Sequence, residues 1–220
     1  MWRRVLPLLL ALLGALPRSA AQQYDLRTFS LEQGLPSASV NALCEDAEGF
    51  LWVATDQGAA RGQGLRFSSW GREQGLPADE VTALYAAPDR QVWLGLRNGA
   101  LAVWRSGAIR SAGIEGLPAF PVRAILPGPD GDLWIASRGG GVWHIPNGAT
   151  QALAVDGGLH SLRINALVRL PDQRLLAATD SGAAVLTGDR WTHLPKAGMP
   201  SPRTLALHAD STGVLVGTDK

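Results

Sequence analysis

From about residue 40 onward, the hydrophobic positions fall into short runs paired around polar turns. VTALYAA (81–87) and QVWLGLR (91–97) flank Pro88-Asp89-Arg90. VRAIL and DLWIAS flank Pro127-Gly128-Pro129-Asp130-Gly131, and INALVRL and RLLAAT flank Pro171-Asp172-Gln173. Runs of this length predict hairpin strands, because Asp and Gly tolerate tight-turn backbone angles and Pro presets one of them. The second run of each pair (LWVA, VWLG, LWIA) is nearly continuously apolar, which predicts a strand covered on both faces. Weaker strand signals complete the units, ALAVWR and AIRSA in one and GVWHI and TQALAV in the next.

The pattern is periodic. Gly-Leu or Gly-Met pairs begin at Gly34, Gly75, Gly116, Gly158 and Gly198, at intervals of 41, 41, 42 and 40 residues. Trp52, Trp93 and Trp134 each follow their Gly by 18 residues; Leu176 takes that place in the fourth unit and Leu215, one residue early, in the fifth. Four short antiparallel strands per unit of about 41 residues predict an all-β chain of β-propeller blades, four full and part of a fifth. The small residues two places beyond the Trp (Ala54, Gly95, Ala136, Ala178 and Gly217) predict close approach of neighbouring sheets, with the Trp side chains between them. Trp70, Trp104, Trp143 and Trp191 fall on outer strands and stay unassigned. Residues 22–220 read as the propeller, C-terminally truncated, with Tyr24 to Ser30 resembling an outermost strand. An open arc of this kind exposes a blade face, an association liability.

Composition adds an address. Residues 1–21 run from basic Trp2-Arg3-Arg4 through an apolar stretch, Val5 to Leu16, to Pro17-Arg18-Ser19-Ala20-Ala21. This is the three-part pattern of a secretory signal peptide, too short to span a bilayer, and it predicts an extracytoplasmic, periplasmic mature chain with no transmembrane helix. Without the three leader arginines, 17 basic residues face 19 acidic ones, giving no electrostatic case for nucleic acid or anionic membrane. The one cysteine, Cys44, forms no internal disulfide and reads as a small buried hydrophobe.

The recurrent GLP, V-x-A-L, Asp/Gly turn, L-W-[VI]-A-[TS] and Gly resembles the two-component regulator propeller repeat. The residues that carry the likeness are EQGLPSASVNALCEDAEGFLWVATDQG (32–58), EQGLPADEVTALYAAPDRQVWLGLRNG (73–99) and EGLPAFPVRAILPGPDGDLWIASRGG (115–140). Units four and five depart from it, with Gly-Leu-His and Gly-Met-Pro for Gly-Leu-Pro and Leu for Trp. The resemblance implies a periplasmic sensor propeller that binds an extracytoplasmic ligand, often a saccharide. It also implies signalling to a histidine kinase or diguanylate cyclase domain, neither of which lies in this sequence.

Candidate chemistry is confined to loops. The residue following the second strand varies in charge from unit to unit (Asp56, Arg97, Arg138, Asp180 and Asp219) over a nearly constant scaffold. Folding does not require opposite charges at one repeated position, so these residues, with Gln57, Asn98 and Ser181, are the expected ligand-facing set. The four histidines (144, 160, 193 and 208) share no metal-ligand spacing, and no metal or cofactor is expected. Glu45-Asp46 abuts a hairpin turn and Asp79-Glu80 falls in an exposed loop, so neither pair is expected to be desolvated enough for a general acid, and Gly139-Gly140-Gly141 lacks the Lys-Ser/Thr of a phosphate loop. A non-catalytic ligand sensor is the leading reading; a protein-interaction propeller and a propeller lyase or hydrolase dependent on His160 are the alternatives.

Overall fold

The computed structural model describes residues 27–195, 201–211 and 213–220. The predicted leader, the first residues of the Tyr24–Ser30 segment and the Gly-Met pair at Gly198 lie outside them; residues 27–30 carry no strand. β1 (Val40–Glu45), β2 (Leu51–Thr55), β3 (Gly58–Gln63) and β4 (Arg66–Trp70) form one antiparallel sheet in chain order. The second blade repeats this with β5 (Val81–Ala86), β6 (Val92–Leu96), β7 (Leu101–Arg105) and β8 (Ala108–Ser111). The third contains β9 (Val122–Pro127), β10 (Leu133–Ser137), β11 (Gly141–Ile145) and a short β12 (Leu153–Ala154). β13 (Ile164–Arg169), β14 (Leu175–Thr179), β15 (Gly182–Thr187) and β16 (Arg190–His193) make the fourth, and β17 (Thr204–Ala209) pairs with β18 (Val214–Thr218) in the fifth. These are the blades and the partial blade predicted from the hydrophobic runs.

The first strands of successive blades touch in chain order, β1 on β5, β5 on β9, β9 on β13 and β13 on β17. The apolar core is therefore a series of junctions. Trp52 lies in a cluster with Val81, Leu94 and Trp104 of the next blade; Trp93 packs against Leu133 and Ile145; Trp134 packs against Leu175 and Leu186. The second-strand Trp residues thus sit between blades, as their period predicted. The small residue two places on answers to the same crowding: a Cβ on Gly95 would stand 2.4 Å from Cγ1 of Val122 in the third blade.

The first two Gly-Leu-Pro segments start as short turns. Leu31–Gln33 forms a single 3-10 turn, capped at its start by Ser30 and closed by Gly34 at φ 96°. A side chain at Gly34 would also strike the Phe67 carbonyl oxygen at 2.3 Å, and one at Gly75 the Ile109 carbonyl oxygen at 2.4 Å. The recurrent glycine is needed for both its left-handed backbone and the outermost strand pressed against it.

Among the described residues the five sheets form an arc that does not close into a ring. Leu43 of β1 is 60% exposed, whereas its register equivalents Ile125 and Leu167 are 4% exposed. At the other end Leu215 of β18 is 72% exposed, although Trp52, at the same place in the first blade, is fully buried.

Candidate ligand-binding rim

Strand direction sorts the loops onto two faces. The segments leading into each first strand and the turns after each second strand share one, here the upper face; the turns joining first to second and third to fourth strands share the other. All of the sequence-predicted site residues lie on the upper face.

The structure adds a device that sequence reasoning passed over. Each first strand begins with a bulge after its first residue, and the bulged residue is the variable position of V-x-A-L. In the first blade this is Asn41, whose Nδ2 donates to Oδ1 of Asp56 (2.9 Å) and to the Val81 carbonyl of the next blade (3.0 Å). Asn165 does the same in the fourth blade, donating to Asp180 (2.9 Å) and to the Thr204 carbonyl (2.8 Å). Thr82 Oγ1 in the second donates to the Val122 carbonyl at 2.7 Å. A short polar side chain here clips one blade to the next, and where it is Asn it also anchors an acid on its own second-strand turn.

Seen against this device, the predicted residues divide. Asp56 and Asp180 are held by their asparagines, and Asp180 also meets Arg203 at 3.2 Å and Arg163 at 3.8 Å. The Asn165 hydrogen bond, then that of Arg203, holds the Asp180 carboxyl below the ordinary aspartate value against the opposing pull of desolvation. Asp219 lies 3.9 Å from Arg203. Arg97 is tied to Glu80, through its guanidinium at 2.7 Å and its backbone N–H to the Glu80 carbonyl at 3.0 Å. Asn98 accepts from the Ala100 N–H, while the backbone N–H groups of Gln57 and Ser181 donate to the Thr55 and Thr179 hydroxyls, so these three shape turns.

Arg138 differs. Its backbone N–H donates to the Pro121 carbonyl and its backbone bridges to Arg163, but among the described residues no ion pair reaches its guanidinium. The bulged residue of the same blade is Arg123, in place of the Asn or Thr of the first, second and fourth blades. Desolvation, then the like charge of Arg138, pushes the Arg123 guanidinium below its ordinary value, though an arginine so placed stays protonated. The third blade thus puts two arginines together, with Arg163, which faces Asp180, alongside, where the first, second and fourth blades place a neutral clip and a tethered charge. Arg123 was legible as the odd residue in the series Asn41, Thr82, Arg123, Asn165 and Leu205.

On the lower face Asp46 corrects an expectation. Expected beside a hairpin turn without much desolvation, it is buried. Its Oδ1 accepts from the N–H groups of Glu48 and Phe50, and its Oδ2 from Trp52 Nε1 (2.9 Å) and Arg61 Nε (2.7 Å). Desolvation pulls its pKa up, but the bonds from Arg61, Trp52 and the two backbone groups outweigh it, leaving the carboxyl below the ordinary aspartate value. That environment favours the ionised form, the opposite of what a general acid needs. Cys44 is half-buried rather than enclosed. His160 stacks on His193 with centroids 3.6 Å apart. Among the described residues no three His, Cys, Asp or Glu groups converge as metal ligands, and no helix is long and apolar enough to cross a membrane.

Fold and repeat together define the chain as an all-β protein of propeller blades. Residues 34–57, most of the first repeat, match the family described as Two component regulator propeller, the family that the sequence motifs resemble. No curated protein matches the sequence. Among solved structures, the chain is similar to the extracellular domain of what is described as a hybrid two component system from B. thetaiotaomicron (TM-score 0.76, 19% identity), covering 88% of this chain and 29% of that one. A second such domain from B. thetaiotaomicron, described as belonging to a one component system, gives 0.69 at 18% identity over 82% and 25%. A catalytically inactive virginiamycin B lyase from Staphylococcus aureus, crystallised with quinupristin, gives 0.67 at 15% over 83% and 64%. The chain spans less than a third of the two signalling structures. At these identities the likeness establishes the fold alone.

Proposed function

We propose that this chain is a ligand-sensing propeller segment of an extracytoplasmic signalling receptor, that it has no catalytic role of its own, and that its ligand is anionic. The observation that carries the reading is the Arg123–Arg138 pair. Like charges side by side oppose folding, and among the described residues no acid forms an ion pair with either, unlike Arg97 with Glu80 or Arg203 with Asp180. Two guanidiniums on an otherwise paired rim suit a carboxylate, sulfate or phosphate, which each can grip with two parallel hydrogen bonds. The repeat match and the similar extracellular domains support the sensor role. The family resemblance adds a saccharide, so an acidic sugar unites the two lines.

A thermal-shift titration with glucuronate and galacturonate, alongside inorganic sulfate and phosphate, tests this. A saturable rise in melting temperature with at least one of them is expected for the wild type, and its loss in Arg123→Ala/Arg138→Ala. Arg97→Ala should retain the shift, because Arg97 is already paired. Absence of any anion-dependent shift, or one that survives the double substitution, refutes the site.

A further inference from the structure

The blade junctions are built from equivalent positions, so they can be compared side chain by side chain. At the first junction Trp52 stacks on Trp70 of β4, with centroids 5.3 Å apart and planes at 22°, and meets Trp104 of β7 edge-on at 5.2 Å. Arg61, opposite Trp52 in the ladder, lies over the Trp104 ring at 4.8 Å. Three indoles and a guanidinium fill the space between these two blades.

Strand register identifies their counterparts at the third junction. Trp134 stands for Trp52 and, opposite it, His144 for Arg61. Trp70 pairs with Ala59, whose equivalent Val142 accepts from the Val155 N–H, so Val155 stands for Trp70. Trp104 pairs with Val92; the same step in the fourth blade sets Leu186 beside Leu175. Two indoles have become an isopropyl and an isobutyl group, and the guanidinium an imidazole, while Trp191, in the place of Ile109, returns one indole whose Nε1 donates to the Val155 carbonyl at 2.6 Å.

The third junction does not close over the loss. A cleft of about 680 Å³ opens there on the lower face, with Trp134, His144, Val155, Leu175 and Leu186 on its inner side and Asp156, Arg169, Gln173, Asp189 and the Asp172–Arg174 ion pair around its mouth. Trp134 lies stacked on His144, centroids 4.4 Å apart, and His144 Nε2 is fixed at 2.7 Å from Asp132 Oδ2, so the aromatic wall is held in place. The second junction also lacks the indole pair, but Tyr85, Ile114 and Trp143 pack about its Leu133 and Ile145.

We propose that the cleft between the third and fourth blades binds a planar aromatic ligand of indole size, seated where the first junction carries Trp70 and Trp104. An aromatic face with apolar side chains beside it prefers a ring to water, and the polar mouth leaves room for the ring's N–H to find an acceptor. The site is on the opposite face from Arg123 and Arg138, and stands or falls independently of the rim.

Saturation-transfer NMR on the chain, with indole itself as the probe, reads the occupancy. A saturable response is expected from the wild type. Val155→Trp/Leu186→Trp rebuilds the first junction's indoles in the cleft and should abolish the response. Trp134→Leu, which copies the fourth blade's Leu176, removes the aromatic wall without demanding new space and should weaken binding at least tenfold. This single substitution carries the test if the double variant does not fold. A wild type without saturable response, or a response unchanged in the folded variants, overturns the proposal.

Discussion

The carboxylate of Asp46 accepts from two backbone N–H groups, one indole and one guanidinium, all within the first blade. Asp46→Asn takes from Arg61 the buried one of its two carboxylate partners and leaves the more exposed Glu48, a loss of about 2 kcal/mol. In a chain of this size that lowers the melting temperature by roughly 4–8 °C, readable by calorimetry. Because the folded-state pKa is depressed, the stabilisation is complete above the unfolded-state value and disappears as pH falls through the folded one. Wild-type melting temperature should therefore fall steeply on acidification below about pH 4, and Asp46→Asn should flatten that limb. Cys44, nearby on β1, shows the converse. Burial, then the Asp46 charge, pushes its thiol up to about 11. At pH 8 a disulfide reagent should label it far more slowly in the folded chain than in denaturant; equal rates would show that the thiolate is accessible.

At the scale of strands and blades, Gly95 and Trp52 report how tightly the junctions fit. Gly95→Ala places a methyl group 2.4 Å from Val122 Cγ1, forcing the second and third blades apart at a cost of about 1–3 kcal/mol. Trp52→Ala empties the first junction and should cost about 3–5 kcal/mol, whereas Trp134→Leu, beside an open cleft, should cost less. Urea denaturation of the three variants gives the order directly. The blades, their strands and these junction residues were all readable from the 41-residue period, since each strand's apolar run and each small residue answers to a contact repeated along the chain. The rim was read by place but not by partner. Asn41 and Asn165, fifteen residues before the acids they hold, meet them only because a bulge turns each side chain back across the hairpin. The cleft was not readable either: Val155 and Leu186 look like ordinary strand residues until register sets them opposite the places of Trp70 and Trp104.

On the scale of the whole molecule, stability in a repeat array is the sum of each blade's own folding and its interfaces with neighbours. The second, third and fourth blades have two interfaces each; the first and fifth, among the described residues, have one. The exposed leucines mark the difference, Leu43 on β1 and Leu215 on β18, beside Val40, Leu205 and Val214. Among the described residues the fifth sheet holds β17 and β18, and β18 pairs on one edge. Local opening is easiest where few apolar contacts must be broken. Hydrogen–deuterium exchange on the chain should therefore show a gradient, with amides of β17 and β18 exchanging first, those of β1 next, and those of β6 and β10 last. Asp46→Asn should steepen it at the first blade alone, because its partners all lie there, while Gly95→Ala should raise exchange on both sides of the second junction. Uniform protection from β1 to β18 would mean that the end faces are covered in solution, and the gradient would then return only when the covering contact is broken by a charge at Leu43 or Leu215.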